Sequence, residues 1–200
     1  MGNSSIPTQG VPSTTQLLEP KLPLVIFIGG AMDATFGPIK KFTYPPYAGM
    51  YAKVQDIDYA EHDQEDKVVQ EINDRYDINK QTVCIVGHSW GGDTALKCCR
   101  RLAPKRNIVL LVTLDPVSSR LTRNTARPSN VKEWINVYVN YDKAPWSDPL
   151  SANSIAMTGG PWGACSGADK NIEFPYYNSD AHAHANDMFR FVKEKVSAIR

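Results

Sequence analysis

The sequence predicts an α/β three-layer sandwich: a mostly parallel sheet of about five or six strands with helices on both faces. Three observations lead there. Short apolar runs alternate with segments of helical periodicity. The runs are apolar at successive positions, as in strands buried on both faces, rather than at every second one. The strongest runs also stop abruptly, at glycine or at Asp-Pro.

Taken in order, Leu24-Val25-Ile26-Phe27-Ile28 is the first buried strand, stopped by Gly29-Gly30. Residues 51–59 (YAKVQDIDY) read as a weaker strand. Residues 62–76 read as a helix with Val68, Ile72 and Tyr76 on one face and Val69 beside them. Val83-Cys84-Ile85-Val86 is a second buried strand, ended by Gly87. Residues 90–103 form a helix that turns Ala95, Cys99 and Leu102 inward and ends before Pro104. Residues 107–114 (NIVLLVTL) make the strongest strand, followed by Asp115-Pro116. Residues 134–141 (WINVYVNY) make another, followed by Asp142. A loop rich in Gly, Pro and Trp covers roughly 143–170, and a closing helix carries Phe189, Val192, Val196 and Ile199 in one stripe.

A chain of 200 residues is about one domain, here residues 21–200, preceded by a flexible polar tail over residues 1–20. The tail has neither a basic n-region nor an apolar h-region, so no secretory signal is expected. That implies a cytoplasmic protein, or one exported by a signal-independent route. Lys plus Arg is 22 against 21 for Asp plus Glu, a formal net charge of +1 that gives no footprint for nucleic acid. Cys84, Cys98, Cys99 and Cys165 form no C-x-x-C pair and read as reduced small hydrophobes. No metal and no cofactor is expected.

The chemistry centres on Gly87-His88-Ser89-Trp90-Gly91, a G-x-S-x-G pattern. It directly follows an apolar strand and directly opens an amphipathic helix, the setting in which this pattern carries meaning. Ser89 would stand on a tight turn with its hydroxyl clear of the backbone. Gly87 and Gly91 have no Cβ atoms to keep strand and helix apart. The helix N-terminus would aim N–H groups at developing negative charge.

With the Gly29-Gly30-Ala31 loop, the GHSWGG turn, Leu114-Asp115-Pro116 and a late histidine in that order, the chain resembles the α/β-hydrolase superfamily, in particular its small lipase and esterase members. The likeness covers about residues 23–199. There is no room for two leading strands before Leu24 and no long lid insertion, so the implied fold is minimal, closer to cutinase-like members. The Leu-Asp-Pro resembles the acid position of pancreatic-type lipases.

The resemblance implies Ser89 as nucleophile, an acid, and an imidazole base. Asp115 ends the strongest strand and is the first choice of acid; Asp142, ending the next strand, is its rival. Of four histidines, His88 lies inside the turn with a packing role, and His62 begins an acidic helix. His182 and His184 remain as the base, with His182 in phase with the buried stripe of the last helix. An i,i+2 pair diverges on a helix, so the two do not suggest a metal site. Backbone N–H groups of Trp90 and Ala31 would form the oxyanion hole, with Met32 an alternative. Met32, Trp90, Trp146 and Trp162 are candidates for an apolar acyl-binding wall.

The implied activity is that of a serine hydrolase cleaving carboxylic esters, with lipid or phospholipid substrates favoured and a transient membrane-surface contact in keeping with them. The compact form also suits an exported antibacterial lipase effector neutralised by an inhibitory (immunity) protein. A non-catalytic hydrolase-like binding module is the remaining alternative.

Overall fold

The computed structural model describes residues 21–31, 33–79, 81–119, 123–143 and 159–200. The expected polar tail at residues 1–20 lies outside them, as do Met32, Trp146 and the side chain of Tyr76. Six strands form one sheet in the order β2-β1-β3-β4-β6-β8, where β1 is Leu24–Ile28, β2 Asp56–Ala60, β3 Val83–His88, β4 Ile108–Leu114, β6 Trp134–Tyr138 and β8 Lys170–Glu173. Every pairing in this sheet is parallel. A separate antiparallel pair joins β5 (Val117–Ser119) to β7 (Gly159–Pro161).

The side-chain alternation of β1 shows why its whole sequence is apolar. Leu24, Ile26 and Ile28 pack on one face against α2 (Glu65–Asn79) and α3 (Trp90–Leu102). Val25 and Phe27 pack on the other, against Tyr47 of α1 (Tyr44–Tyr51), against Met188 and Phe189 of α4 (Ala185–Arg190), and against Val196 of α5 (Lys193–Ser197). Both faces are covered, so no position in the strand is free to be polar. The four cysteines are free thiols and all buried. Burial pushes the thiols of Cys99 and Cys165 up to about 12, which keeps them protonated at neutral pH.

The structure departs from the sequence reading in several places. Residues 44–51 form a helix where none was expected, and the weaker strand begins only at Asp56. Pro45 and Pro46 suit the first turn of that helix, where N–H groups lack acceptors anyway. The strand Lys170–Glu173 closes the far edge of the sheet just after the expected loop, and β7 lies within that loop. The closing helix is two short helices that break around Val192, although Phe189, Val192 and Val196 all stay buried.

This topology places the site. Strand order reverses between β1 and β3, and the crevice at the C-terminal ends of strands on either side of such a switch is where open α/β sheets bind ligands. His88 of β3 is in register with Leu114 of β4, so the residues that follow, Ser89 and Asp115, leave the same edge side by side.

Candidate active site

Ser89 stands between β3 and α3 with φ 56° and ψ −126°, and Asp115 follows β4 with φ 42°. Such a backbone costs a non-glycine residue on the order of 1–3 kcal/mol and persists only where its surroundings impose it. They do so here. The Ser89 N–H donates to the Leu114 carbonyl at 3.0 Å, and the Ser89 carbonyl accepts from Gly92 at 2.9 Å and Val117 at 3.1 Å. Glycine is obligatory around the bend. A Cβ on Gly87 would come within 2.3 Å of the Gly91 carbonyl oxygen, and one on Gly91 within 2.3 Å of the Ile28 oxygen.

Three side chains from distant parts of the chain meet at this edge. His182 Nε2 lies 2.9 Å from Ser89 Oγ, and His182 Nδ1 lies 2.6 Å from Asp115 Oδ2. Asp115 is fully buried, while Ser89 and His182 are 5% and 6% exposed. In so enclosed a setting each hydrogen bond is stronger than in water. Asp115 is itself held: the Val139 N–H donates to Oδ1 at 3.1 Å, and the Tyr141 hydroxyl donates to Oδ2. With Nδ1–H committed to the carboxylate, Nε2 is left as the basic nitrogen facing the serine.

The other candidates sit elsewhere. Asp142 is exposed, with its N–H on the Asn140 side chain, and does not meet His182. His184 bonds Asp187 and Asp180 rather than Ser89. Trp162 is 4% exposed and lies in the core on the α2–α3 side of the sheet, its indole N–H donated to Ser118 Oγ at 2.7 Å. Trp90 is half-buried and opens α3, so its backbone N–H has no acceptor within the helix. The Gly29-Gly30-Ala31 turn runs directly past the serine, for a Cβ on Gly30 would stand 2.8 Å from Ser89 Cβ.

Three contributors were missed in the sequence. Tyr141 adjoins the rival acid candidate Asp142, yet its hydroxyl donates to Asp115, 26 residues earlier. His88 does more than pack. Its Nε2 lies 2.9 Å from the His182 carbonyl and its ring lies 4.9 Å from the His182 ring. Burial, together with the neighbouring His182, pushes the His88 imidazole down to about 3, so it is neutral and donates Nε2–H to that carbonyl. Asp33 is buried behind the glycine turn, where it accepts the N–H groups of Ile39 and Lys40 and the Tyr59 hydroxyl. A carboxylate three residues past a Gly-Gly turn was the only sequence signal for that role.

No family model matches this sequence, and no curated protein does either. Among solved structures, the type II thioesterase BorB from the borrelidin biosynthetic cluster matches at 13% identity over 90% of this chain and 94% of that one, with a TM-score of 0.50. A protein described as a YdeN-like hydrolase, from Pectobacterium atrosepticum, aligns at 13% identity over 90% of each chain with a TM-score of 0.49. The esterase domain of a Rhodothermus marinus protein aligns at 10% identity over 87% of this chain and 90% of that one, with a TM-score of 0.45. Identities this low bear on the fold alone. With six parallel strands in the order β2-β1-β3-β4-β6-β8 and a serine turn at the end of β3, this chain has an α/β-hydrolase-like fold.

Proposed function

We propose that the protein is a serine hydrolase of carboxylic esters that works through an acyl-enzyme on Ser89. The observation that carries this reading is the unbroken series Asp115–His182–Ser89, with contacts of 2.6 and 2.9 Å in an almost closed site. Ser89 Oγ attacks the ester carbonyl carbon while its proton passes to His182 Nε2. The carbonyl oxygen becomes an oxyanion, held by the N–H groups of Trp90 and Ala31. The carbon–oxygen ester bond then breaks, and the leaving alkoxide takes the proton from His182. Water then attacks the acyl carbon while giving a proton to His182, and the bond from that carbon to Ser89 Oγ breaks as His182 returns the proton to Oγ, freeing the acid and the enzyme. Asp115 fixes the imidazole tautomer and balances the imidazolium charge in both halves of the cycle. Lipid or phospholipid esters are the favoured substrates, on the likeness of Leu114-Asp115-Pro116 to lipase acid positions.

The test is turnover of p-nitrophenyl esters of several chain lengths and labelling by a fluorophosphonate. The native protein is expected to show both. The Ser89→Ala variant is expected to lose labelling and to fall by on the order of 10⁴ or more in kcat. A native protein inert to every ester and to the probe, or full activity in Ser89→Ala, refutes the reading.

A further inference from the structure

The stretch from Ala31 to Val54 contains one acidic residue, Asp33, and it is buried. The same stretch contains Lys40, Lys41 and Lys53. Its helix, α1 (YPPYAGMY), has no charged side chain at all. At about 100° per residue, Pro45, Pro46, Gly49 and Met50 share an arc of about 140°, and all four are exposed. The opposite side carries Tyr47, buried against Phe27 and Phe189, with Tyr44 also on Phe27. Both sides of the helix are therefore apolar, but only one is covered. Met50 is 55% exposed, Phe42 60%, Phe36 49% and Val54 44%.

Lysines accompany this face. Lys193 Nζ lies 3.6 Å from Met50 Sδ and 6.0 Å from the centre of the Tyr51 ring. Lys41 donates to the Thr35 carbonyl. Lys40 is paired with Glu61, but Lys41, Lys53 and Lys193 have no carboxylate partner among the described residues. Exposed apolar groups with Lys193 against Met50 and with Lys41 and Lys53 in the same stretch of chain complement a layer of acyl chains beneath phosphate headgroups. A symmetric contact with a second copy would bring the same lysines together, which opposes it. No helix of the described residues is long and apolar enough to cross a membrane, so the fit is to the surface of a bilayer. The segment starts one residue after Gly30, which lies against Ser89, and ends at the opposite edge of the sheet, where Asp56 is in register with Leu24.

We infer that the exposed face of residues 36–54 is an interfacial docking surface for anionic lipid. It seats Phe42, Pro46 and Met50 among acyl chains and Lys41, Lys53 and Lys193 against headgroup phosphates. The inference rests on the ester-hydrolase reading for its purpose, since a lipid-ester substrate is what would bring the protein to a bilayer.

Binding is to be read by flotation of the full-length Ser89→Ala protein, which separates it from turnover. Vesicles of equal parts phosphatidylglycerol and phosphatidylcholine are expected to carry the protein up, and pure phosphatidylcholine to carry about tenfold less or under. Lys53→Gln should weaken partitioning about fivefold, the usual worth of one cation at an anionic surface. The Phe42→Asp/Met50→Asp pair should lose flotation more than tenfold. In the Ser89 background the same pair should keep its melting temperature and its turnover of a short soluble p-nitrophenyl ester. Equal flotation of the paired variant, no flotation at all, or a solution dimer that the pair dissociates each overturns the docking surface. Failure on the soluble ester overturns the hydrolase reading instead and leaves the flotation result standing.

Discussion

His182 lies in a short 3₁₀ segment, Ala181–Ala183, which His184 directly follows, and each ring bonds carboxylate. The His182 side chain is 8% exposed and its partner Asp115 not at all. The His184 side chain is 30% exposed, and its partners Asp180 and Asp187 are 59% and 39% exposed. His184 also stacks on Tyr176 at 4.5 Å, beside an open groove of about 490 Å³. A carboxylate neighbour is thus common to both and does not make a base. What sets His182 apart is a hydroxyl on its second nitrogen and the exclusion of water. His184 has carboxylates on both nitrogens, which leaves no free lone pair to accept a proton from a nucleophile.

The sharpest way to break this comparison is to delete each ring in turn. His182→Ala should lower kcat on the ester by on the order of 10⁴ or more, because Ser89 then has no base. His184→Ala should change it less than about threefold, within the small effect usual for surface pairs. Equal losses would show that the geometry has been misread. The carboxylates follow the same logic. Asp115→Asn should cost on the order of 10⁴ in kcat by permitting the wrong imidazole tautomer, the size of effect known for triad acids. Asp142→Asn, at an exposed turn, should leave kcat unchanged.

A smaller effect belongs to Tyr141. Its hydroxyl donates to the same Asp115 oxygen that holds His182. Tyr141→Phe removes one charge-assisted bond to a carboxylate that keeps its other donors, so kcat/KM should fall about tenfold. A merely structural role would lower the melting temperature and leave the pH–rate profile in place. A positioning role shifts the acid limb of that profile, where the base becomes protonated.

Residues whose partners are near in sequence or whose faces differ were legible; the others were not. The three central strands declare themselves because burial on both faces admits only apolar residues, and the Ser89 turn because it joins a strand to a helix directly. Helix α1 escaped because its two sides are equally apolar, so it has no periodicity to detect. Strand β8 (KNIE) escaped because an edge strand is short and polar; it is recognised through its parallel pairing with β6, where Asn171 also bonds Asn136. The acid and the base were each narrowed to two residues. Phase with the buried stripe only inclined the reading toward His182 over His184, and strand strength put Asp115 ahead of Asp142. Tyr141 and His88 act on groups 26 and 94 residues away, contacts that no local pattern records.

The histidines also differ in how they tie stability to pH, and here the expected effects are of opposite sign. His88 has a folded pKa near 3 because burial, and then His182, penalise its charged form, against 6.5 for a free imidazole. Between those values the unfolded chain binds a proton that the native chain refuses, so acidification through this window costs stability at about 1.4 kcal/mol per pH unit. His88→Gln, which keeps a donor for the His182 carbonyl, should flatten the acid limb relative to the native protein. For His184, burial lowers the pKa, but hydrogen bonds to Asp187 and Asp180 outweigh it and raise the value above 6.5. Its contribution is therefore complete below 6.5 and disappears as pH rises through the raised value. His184→Gln should melt below the native protein by no more than about 2 °C at pH 5.5 and together with it at pH 9. Paired melting curves of the two variants against the native protein, taken from pH 4 to 9, check both signs. A His184 deficit that grows with pH would mean the ring is held neutral, and the contrast with His88 would then rest on exposure alone.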